Sequence, residues 1–141
     1  MYKIEQKDYG VKLTFSGFIR KNEMESWREE MINLLDNLPP KFGILADLTE
    51  LKPLPVESQE ALTKTQAIFK DKVIRSATVT RIDFTDMQFK RLGQVSGVND
   101  TKKFLNATKT PNWEELCLEW ITNGTDPSPS VKNKKRSLAL A

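Results

Sequence analysis

The sequence predicts an α/β domain with a four- to five-stranded, mostly parallel sheet. Segments with an apolar residue at every second position alternate with segments in which apolar residues recur every three or four positions, in the order β-β-α-β-α-β-α-β-α. The first two strands are close enough along the chain to form an N-terminal antiparallel hairpin. Two strands carry Lys, Ser or Thr on one side, whereas strands buried on both faces are apolar throughout. We therefore expect helices mainly on one face of the sheet, with the other face largely exposed to water.

The strands are predicted from the alternation of apolar and polar side chains. The expected strands are residues 2–6, 11–16, 43–48, 74–81 and 101–106. Turn-forming Asp8 and Gly10 separate the first two. In the fourth, Ala77 and Val79 alternate with serine and threonine, which places the apolar and polar side chains on opposite faces.

The helices are predicted from apolar stripes and from residues that begin or end helices. The expected helices are residues 24–38, 56–70, 86–95 and 111–123. Asn22 is the expected N-cap of the first helix, and Thr85 with Gln88 forms an expected capping box for the third. Pro111 suits the first position of the last helix, and Gly124 supplies its stop.

The length of 141 residues fits one domain, which we expect over residues 1–124, followed by a disordered basic tail over 125–141. The tail holds four of the 22 Lys and Arg residues and one of the 19 acidic residues, which leaves 18 of each sign in the domain. A neutral domain argues against nucleic-acid binding, since domains that bind duplexes carry positive charge on the fold. The tail could contact anionic lipid or nucleic acid, but a solvated tail is the simpler interpretation.

Several features favour a cytoplasmic protein without stable membrane insertion. No apolar run approaches the roughly 20 residues that span a bilayer, and the N-terminus lacks the apolar core of a signal peptide. The single cysteine, Cys117, excludes an intrachain disulfide. Cys117 lies on the inner stripe of the last helix, so we expect a small buried hydrophobe, with a reactive thiol as the alternative.

The residue types that usually carry catalysis are missing or scattered. There is no histidine, which removes the commonest general base and the zinc–histidine sites, and the six glycines form no phosphate-binding loop. Asp47, Asp83 and Asp86 fall near strand ends, where open sheets place ligands, but capping of turns and helices is their simpler role. We therefore expect no catalytic residue, no metal, no cofactor and no enzyme activity. A carboxylate-based activity at Asp47 or Asp83 is the alternative.

Three segments carry a resemblance to a known group: FGILADLTEL at 42–51, IRSATVT at 74–80, and FLNA and WEELCLEWI within 104–121. Together with the element order, they resemble the SpoIIAA-like group of stand-alone bacterial proteins, which is related to STAS domains and to lipid-binding Sec14 domains. The resemblance covers roughly residues 1–122. It implies the STAS-type fold of anti-sigma factor antagonists and a domain that works by binding.

One departure from the STAS pattern concerns phosphorylation. STAS antagonists carry an Asp-Ser-Ser-Gly-like turn at the start of the second helix, where a serine is phosphorylated. The corresponding place reads Leu54-Pro55-Val56-Glu57-Ser58, without a paired serine or a glycine. Neighbouring glutamates would also repel an added phosphate. We predict that Ser58 is not a regulatory phosphoserine.

Two functions stay open from the sequence. A protein-binding regulatory module would receive its partner near the start of the second helix and the nearby strand ends, at Asp47, Thr49, Leu54, Pro55, Val56, Ser58 and Asp83. A carrier or sensor of a small nonpolar ligand would hold it among the large apolar residues, whose simpler role is to fill the core. Trp27, Trp113 and Trp120 fall on inner helix faces, so we expect them in the core rather than as a ligand platform.

Overall fold

The sheet follows the order of the chain. The computed structural model describes residues 1–96 and 101–127. The strands are β1 (Tyr2–Lys7), β2 (Gly10–Gly17), β3 (Phe42–Leu51), β4 (Val73–Thr80) and β5 (Lys102–Asn106). The helices are α1 (Lys21–Leu34), α2 (Val56–Phe69), α3 (Asp83–Ser96) and α4 (Trp113–Asn123), and a 3₁₀ turn (Leu35–Asn37) extends α1. The strands lie in the order β1-β2-β3-β4-β5, with β1 antiparallel to β2 and all other pairs parallel.

The first three helices share one face of the sheet. Each connects two neighbouring parallel strands, so right-handed crossovers place α1, α2 and α3 on the same side. The main core lies beneath them, where Val11, Leu13 and Phe15 of β2 pack with Met24 and Trp27 of α1. The Phe15 and Trp27 rings meet edge to face at 5.3 Å. The predicted placement of the helices, mainly on one face of a mixed five-stranded sheet, is confirmed.

The fourth helix covers part of the opposite face. There α4 packs on β3 and β4 and encloses a second apolar cluster, formed mainly by Leu45, Ala77, Val79, Leu105, Cys117 and Ile121. The expectation of a sheet face largely open to water is therefore met only in part. The polar side chains of β2 on that side stay partly exposed, but the central strands are not exposed there.

The polar side of β4 is a correction to the sequence-based expectation. Ser76, Thr78 and Thr80 are buried and face α1–α3 rather than water. Alternation predicts two faces for a strand, but it cannot tell a face covered by water from one covered by helices. Because α4 covers the Ala77 and Val79 side, β4 is enclosed on both faces.

The predicted helix starts need three corrections. Pro111 does not occupy the first position of the last helix, because α4 begins at Trp113 with Asn112 as its N-cap. Arg20, not Asn22, is the N-cap of α1, and its side chain makes no capping bond. The third helix begins at Asp83, and no Thr85–Gln88 capping box forms. Both side chains have tertiary partners instead, because the Thr85 hydroxyl donates to the Leu51 carbonyl and the Gln88 amide bonds the backbone of the loop before α2. The stop of α4 at Gly124 is as expected, with φ of 73°.

Two glycines allow close packing where β2, β3 and α4 meet. Gly10 has φ of 142°, and a Cβ atom there would lie 2.1 Å from the Gly43 carbonyl oxygen. A Cβ atom on Gly43 would lie 2.3 Å from a methyl carbon of Ile121. Neither position therefore accepts a side chain without movement of its neighbours.

Within residues 1–96 and 101–127, none of the helices has both the length and the apolar character needed to cross a bilayer. The predicted tail lies outside the described residues from position 128 onward.

Candidate ligand-binding site

The carboxylates expected at strand ends are occupied with local bonds. One oxygen of Asp47 accepts hydrogen bonds from the backbone N–H of Thr49 at 3.1 Å and from its hydroxyl at 2.8 Å. Asp83 accepts a bond from the Asn106 amide at 3.0 Å, which ties the start of α3 to the end of β5. The structure thus brings Asp47 and Thr49 together within β3, where the register with β2 shifts, so Asp47 does not lie at a strand end. Asp83 belongs to a separate contact.

The loop before α2 divides its residues between the interior and the surface. Leu54 is buried, and Ser58 is 0% exposed and donates a 2.6 Å hydrogen bond to the Ile19 carbonyl. Pro55 and Val56 are exposed, the latter at 67%. Leu54 and Ser58 therefore support the loop from the interior, and Pro55 and Val56 form its surface; the role of these residues in binding stays a prediction. A kinase would have to break the Ser58–Ile19 bond first, and the absence of a phosphoswitch at Ser58 stays a prediction.

A cavity of about 80 Å³ lies between the sheet and the three helices α1–α3. Its apolar lining consists of Leu13, Phe15, Ile44, Ala46, Leu48, Leu62, Phe69, Val73 and Phe89. The lining reaches from β2 to β5, which spans three interstrand spacings, or about 14 Å. The cavity thus lies across the sheet, beneath the helices that connect its parallel strands.

Three polar atoms in the cavity wall have no hydrogen-bond partner within the described part of the chain. They are Trp27 Nε1, Gln66 Oε1 and Thr78 Oγ1. Thr78 is 1% exposed and Trp27 is 3% exposed, so water at the surface does not reach them. Since about 90% or more of buried polar groups in proteins are paired, three unpaired atoms in one wall are available to pair with a molecule that enters the cavity. Each costs about 1–3 kcal/mol while it stays unpaired.

The charged residues of the lining are both lysines, Lys70 and Lys102, and the lining contains no carboxylate in the described residues. Lys102 keeps some exposure as a residue, yet its amine is enclosed closely enough that burial lowers its pKa from 10.5 to about 8. The Lys102 Nζ lies 5.5 Å from the centre of the Phe104 ring. Neither lysine forms an ion pair with any residue of 1–96 or 101–127.

Other chemically distinctive side chains lie on the α4 side of the sheet. Burial raises the pKa of the Cys117 thiol to about 12, and Glu114 and Asp47 add to the effect, so the thiol stays protonated. Burial likewise raises the pKa of Tyr9 to about 12. Trp120 is only partly buried, and its indole N–H donates to the Ser76 carbonyl at 2.9 Å. Of the three tryptophans expected in the core, Trp27 is buried, and Trp113 and Trp120 lie at its margin.

A solved structure with the same arrangement identifies the fold. It is the crystal structure of an uncharacterised protein of the DUF3478 family from Shewanella loihica PV-4, described as having a SpoIIAA-like fold. The match covers 80% of this chain and 91% of the other, with a TM-score of 0.58 and 15% sequence identity. This chain has a SpoIIAA-like fold. The expected resemblance is thereby confirmed at the level of architecture.

An identity of 15% carries the fold alone, so no site residue is transferred from that protein. A scan against protein-family models finds no match, and a search of curated proteins finds none either.

Sequence reasoning missed the cavity within this SpoIIAA-like fold. No sequence pattern singled out Gln66, although it lies four residues after Leu62 and therefore on the same helix face. Thr78 was placed on a water-exposed face. The signal that could have indicated the cavity is a polar residue on each of two elements that face one another, Gln66 on α2 and Thr78 on β4.

Proposed function

We propose that this protein is a non-enzymatic regulatory domain that binds a small, largely apolar ligand between α1–α3 and the sheet. The observation that supports this proposal is the cavity of about 80 Å³ with three unpaired polar atoms in an otherwise apolar wall. Ligand sites typically combine apolar walls with a few polar groups that fix orientation.

A simple packing defect accounts less well for these features. Empty cavities in proteins are apolar, because unpaired polar atoms add a desolvation cost to the lost packing. Here Gln66 and Thr78, on α2 and β4, both leave polar atoms unpaired in the wall. A bound molecule with an apolar body and a polar end would pair those atoms and fill the space. Internal water would pair them as well, but it would leave the large apolar part of the wall without contacts.

Native mass spectrometry of freshly purified protein tests the proposal. The wild-type protein should carry a noncovalent small molecule. Ala46→Leu fills the cavity, since Ala46 lines it, and should abolish the adduct. Ala67→Leu is the matched control, because Ala67 is exposed on α2 and outside the lining. A wild-type protein without an adduct, or an adduct that persists in Ala46→Leu, would contradict the proposal.

A protein partner is the second candidate function, and a group of exposed apolar side chains favours it. Phe18, Val56, Phe84 and Met87 are each more than half exposed. Their segments meet at the carboxyl edge of the sheet, where the bond from Ser58 to Ile19 and those from Gln88 to the loop before α2 hold them together. Exposed apolar patches of this kind mark interaction sites on soluble proteins.

Two substitutions at opposite ends of α2 test this second candidate. Val56→Asp places an acid in the first turn and Ile68→Lys places a base near the last, so both charges suit the helix dipole. Both positions are exposed. A stoichiometric partner that co-purifies at native expression level should be lost with Val56→Asp and kept with Ile68→Lys. Retention of that partner by Val56→Asp, or no stoichiometric partner at all, would count against the patch.

A further inference from the structure

The polar groups of the cavity are concentrated toward β4 and β5. Thr78 pairs with Phe104 across β4 and β5, and Ser76 pairs with Lys102. Lys102 and Phe104 share one face of β5, and the Lys102 Nζ extends along the strand to within 5.5 Å of the Phe104 ring centre. The lysine amine and the Thr78 hydroxyl therefore lie on adjacent strands at neighbouring positions.

Gln66 adds a third polar group to the cavity wall, on the side formed by the helices. It belongs to α2, which connects β3 to β4 and crosses above both strands. The amide oxygen and nitrogen of a glutamine exchange places by rotation, so Gln66 can donate or accept toward an occupant. Trp27 lies at the β2 side, where its ring packs on Phe15, and its N–H is a separate donor at the other end.

The hydrogen-bond donors and the positive charge of the cavity wall favour an anionic ligand. Lys102 offers only donors, and Thr78 and Gln66 each offer a donor beside an acceptor. No acidic side chain lines the described cavity, so the Lys102 charge has no counterion there. A neutral alcohol or amide would leave the ammonium uncompensated, and an amine would place a second cation beside it. A planar carboxylate provides one negative charge and two acceptor atoms.

The rest of the cavity wall limits the polarity and the size of the other part of the ligand. Toward β2 and β3 the lining is aliphatic or aromatic, through Leu13, Phe15, Ile44, Ala46 and Leu48. The cavity of 80 Å³ is smaller than the roughly 150 Å³ of an apolar cavity that binds benzene. A short alkyl chain suits this volume better than a long acyl chain or a ring system.

From this arrangement we infer that the ligand is a short-chain monocarboxylate, with its carboxylate held by Lys102, Thr78 and Gln66 and its alkyl chain directed toward β2 and β3. This inference rests on the proposed binding function and specifies the chemical class of the ligand. A carboxylate accepts a charge-assisted hydrogen bond from the lysine, whereas an alcohol of the same chain length makes only an ordinary one. The carboxylate should therefore bind more tightly than the alcohol.

A titration with probes of equal chain length tests the carboxylate. Propanoate, propan-1-ol and propylamine are added to isotopically labelled full-length protein at neutral pH, and backbone amide shifts are followed by NMR. The protein is first unfolded and refolded to remove any bound molecule. Propanoate should bind at least about tenfold more tightly than propan-1-ol, a ratio that corresponds to ~1.4 kcal/mol. The shifts should map to residues that line the cavity.

Two lysine variants on one strand make the test specific. Lys102→Met should bring the affinity for propanoate down to that for propan-1-ol. Lys103→Met should keep the preference, because Lys103 lies on the opposite side of β5 with its Nζ 5.1 Å from the Trp120 ring centre. Thr78→Val should weaken propanoate binding and leave propan-1-ol binding less affected. The thermal midpoint of each variant establishes that it is folded.

The outcomes separate this inference from the proposed function. Equal binding of propan-1-ol and propanoate, a preference for propylamine, or a preference that survives Lys102→Met would overturn the carboxylate while apolar ligand binding stands. If none of the three probes binds, or if propanoate binds Ala46→Leu as well as the wild type, both proposals fail.

Discussion

Replacing Thr78 by valine should stabilise the protein while it weakens ligand binding. The two side chains have nearly the same shape, so the change removes a hydroxyl without opening space. Thr78 is 1% exposed and its hydroxyl has no partner among the described residues. An unpaired buried hydroxyl costs about 1–3 kcal/mol, and part of this cost should be recovered. We expect a gain of about 1–2 kcal/mol in the free energy of unfolding, or ~3 °C in the melting midpoint per kcal/mol for a chain of this size.

Thr80→Val is the matched control for this prediction. Thr80 lies two residues further along β4 on the same face and is 0% exposed, but its hydroxyl donates to Asp86 Oδ1 at 3.0 Å. Removing that donor from a partly buried bond to a carboxylate should cost about 1–2 kcal/mol, so the changes in stability of the two variants should have opposite signs.

Urea denaturation followed by tryptophan fluorescence measures both effects, on protein refolded without ligand. If Thr78→Val proves less stable than the wild type, the hydroxyl has a partner, such as an internal water, and the account of the cavity wall is refuted. Equal stability losses in Thr78→Val and Thr80→Val would refute it in the same way.

Three further predictions concern charge, backbone and reactivity. Lys102→Met should be more stable than the wild type near pH 7, by up to about 3 kcal/mol, since the folded state holds a charge that burial disfavours. As pH rises from about 8 to 10.5, the folded wild type releases this proton while the unfolded chain keeps it, so wild-type stability should rise and the difference between the two proteins should narrow. Urea denaturation across this pH range measures it, and a constant difference would contradict it. Gly10→Ala should cost about 2–4 kcal/mol in the same assay, because its Cβ would meet the Gly43 carbonyl oxygen; a near-wild-type curve would show that β2 and β3 can move apart. Cys117 is 0% exposed with a raised pKa, so iodoacetamide at pH 8 should label it only in denaturant, and rapid labelling of the native protein would show that α4 opens readily.

The topology of this domain could be predicted from the sequence, because it is determined by the local periodicity of apolar residues and by the handedness of the crossovers. Alternation in β2 and the apolar stripe of α1 correspond to residues that meet in the main core, such as Phe15 and Trp27. The capping box at Thr85 failed because both of its side chains bond to distant backbone groups. Local spacing carries no information about partners more than 30 residues away.

The candidate site was less accessible to sequence reasoning than the fold. A threonine that faces water and a threonine that faces an internal cavity give the same alternating pattern, so Thr78 was placed on the wrong side of the boundary between solvent and interior. Lys102 gave no signal either, because a lysine in an edge strand ordinarily reaches water. Asp47 and Ser58 attracted attention by residue type, whereas their hydrogen bonds serve the local structure.

The agreement between strand order in the sheet and strand order in the chain has a consequence for synthesis. As the chain leaves the ribosome, the β1–β2 hairpin can form first, and each later strand then joins an edge that already exists. The contacts closed at each step are short in sequence, which favours rapid folding. The apolar side of β3 and β4, with Leu45, Ala77 and Val79, stays uncovered until α4 emerges. The nascent domain is therefore most exposed to aggregation just before α4 emerges from the ribosome, and docking of that last helix completes its protection.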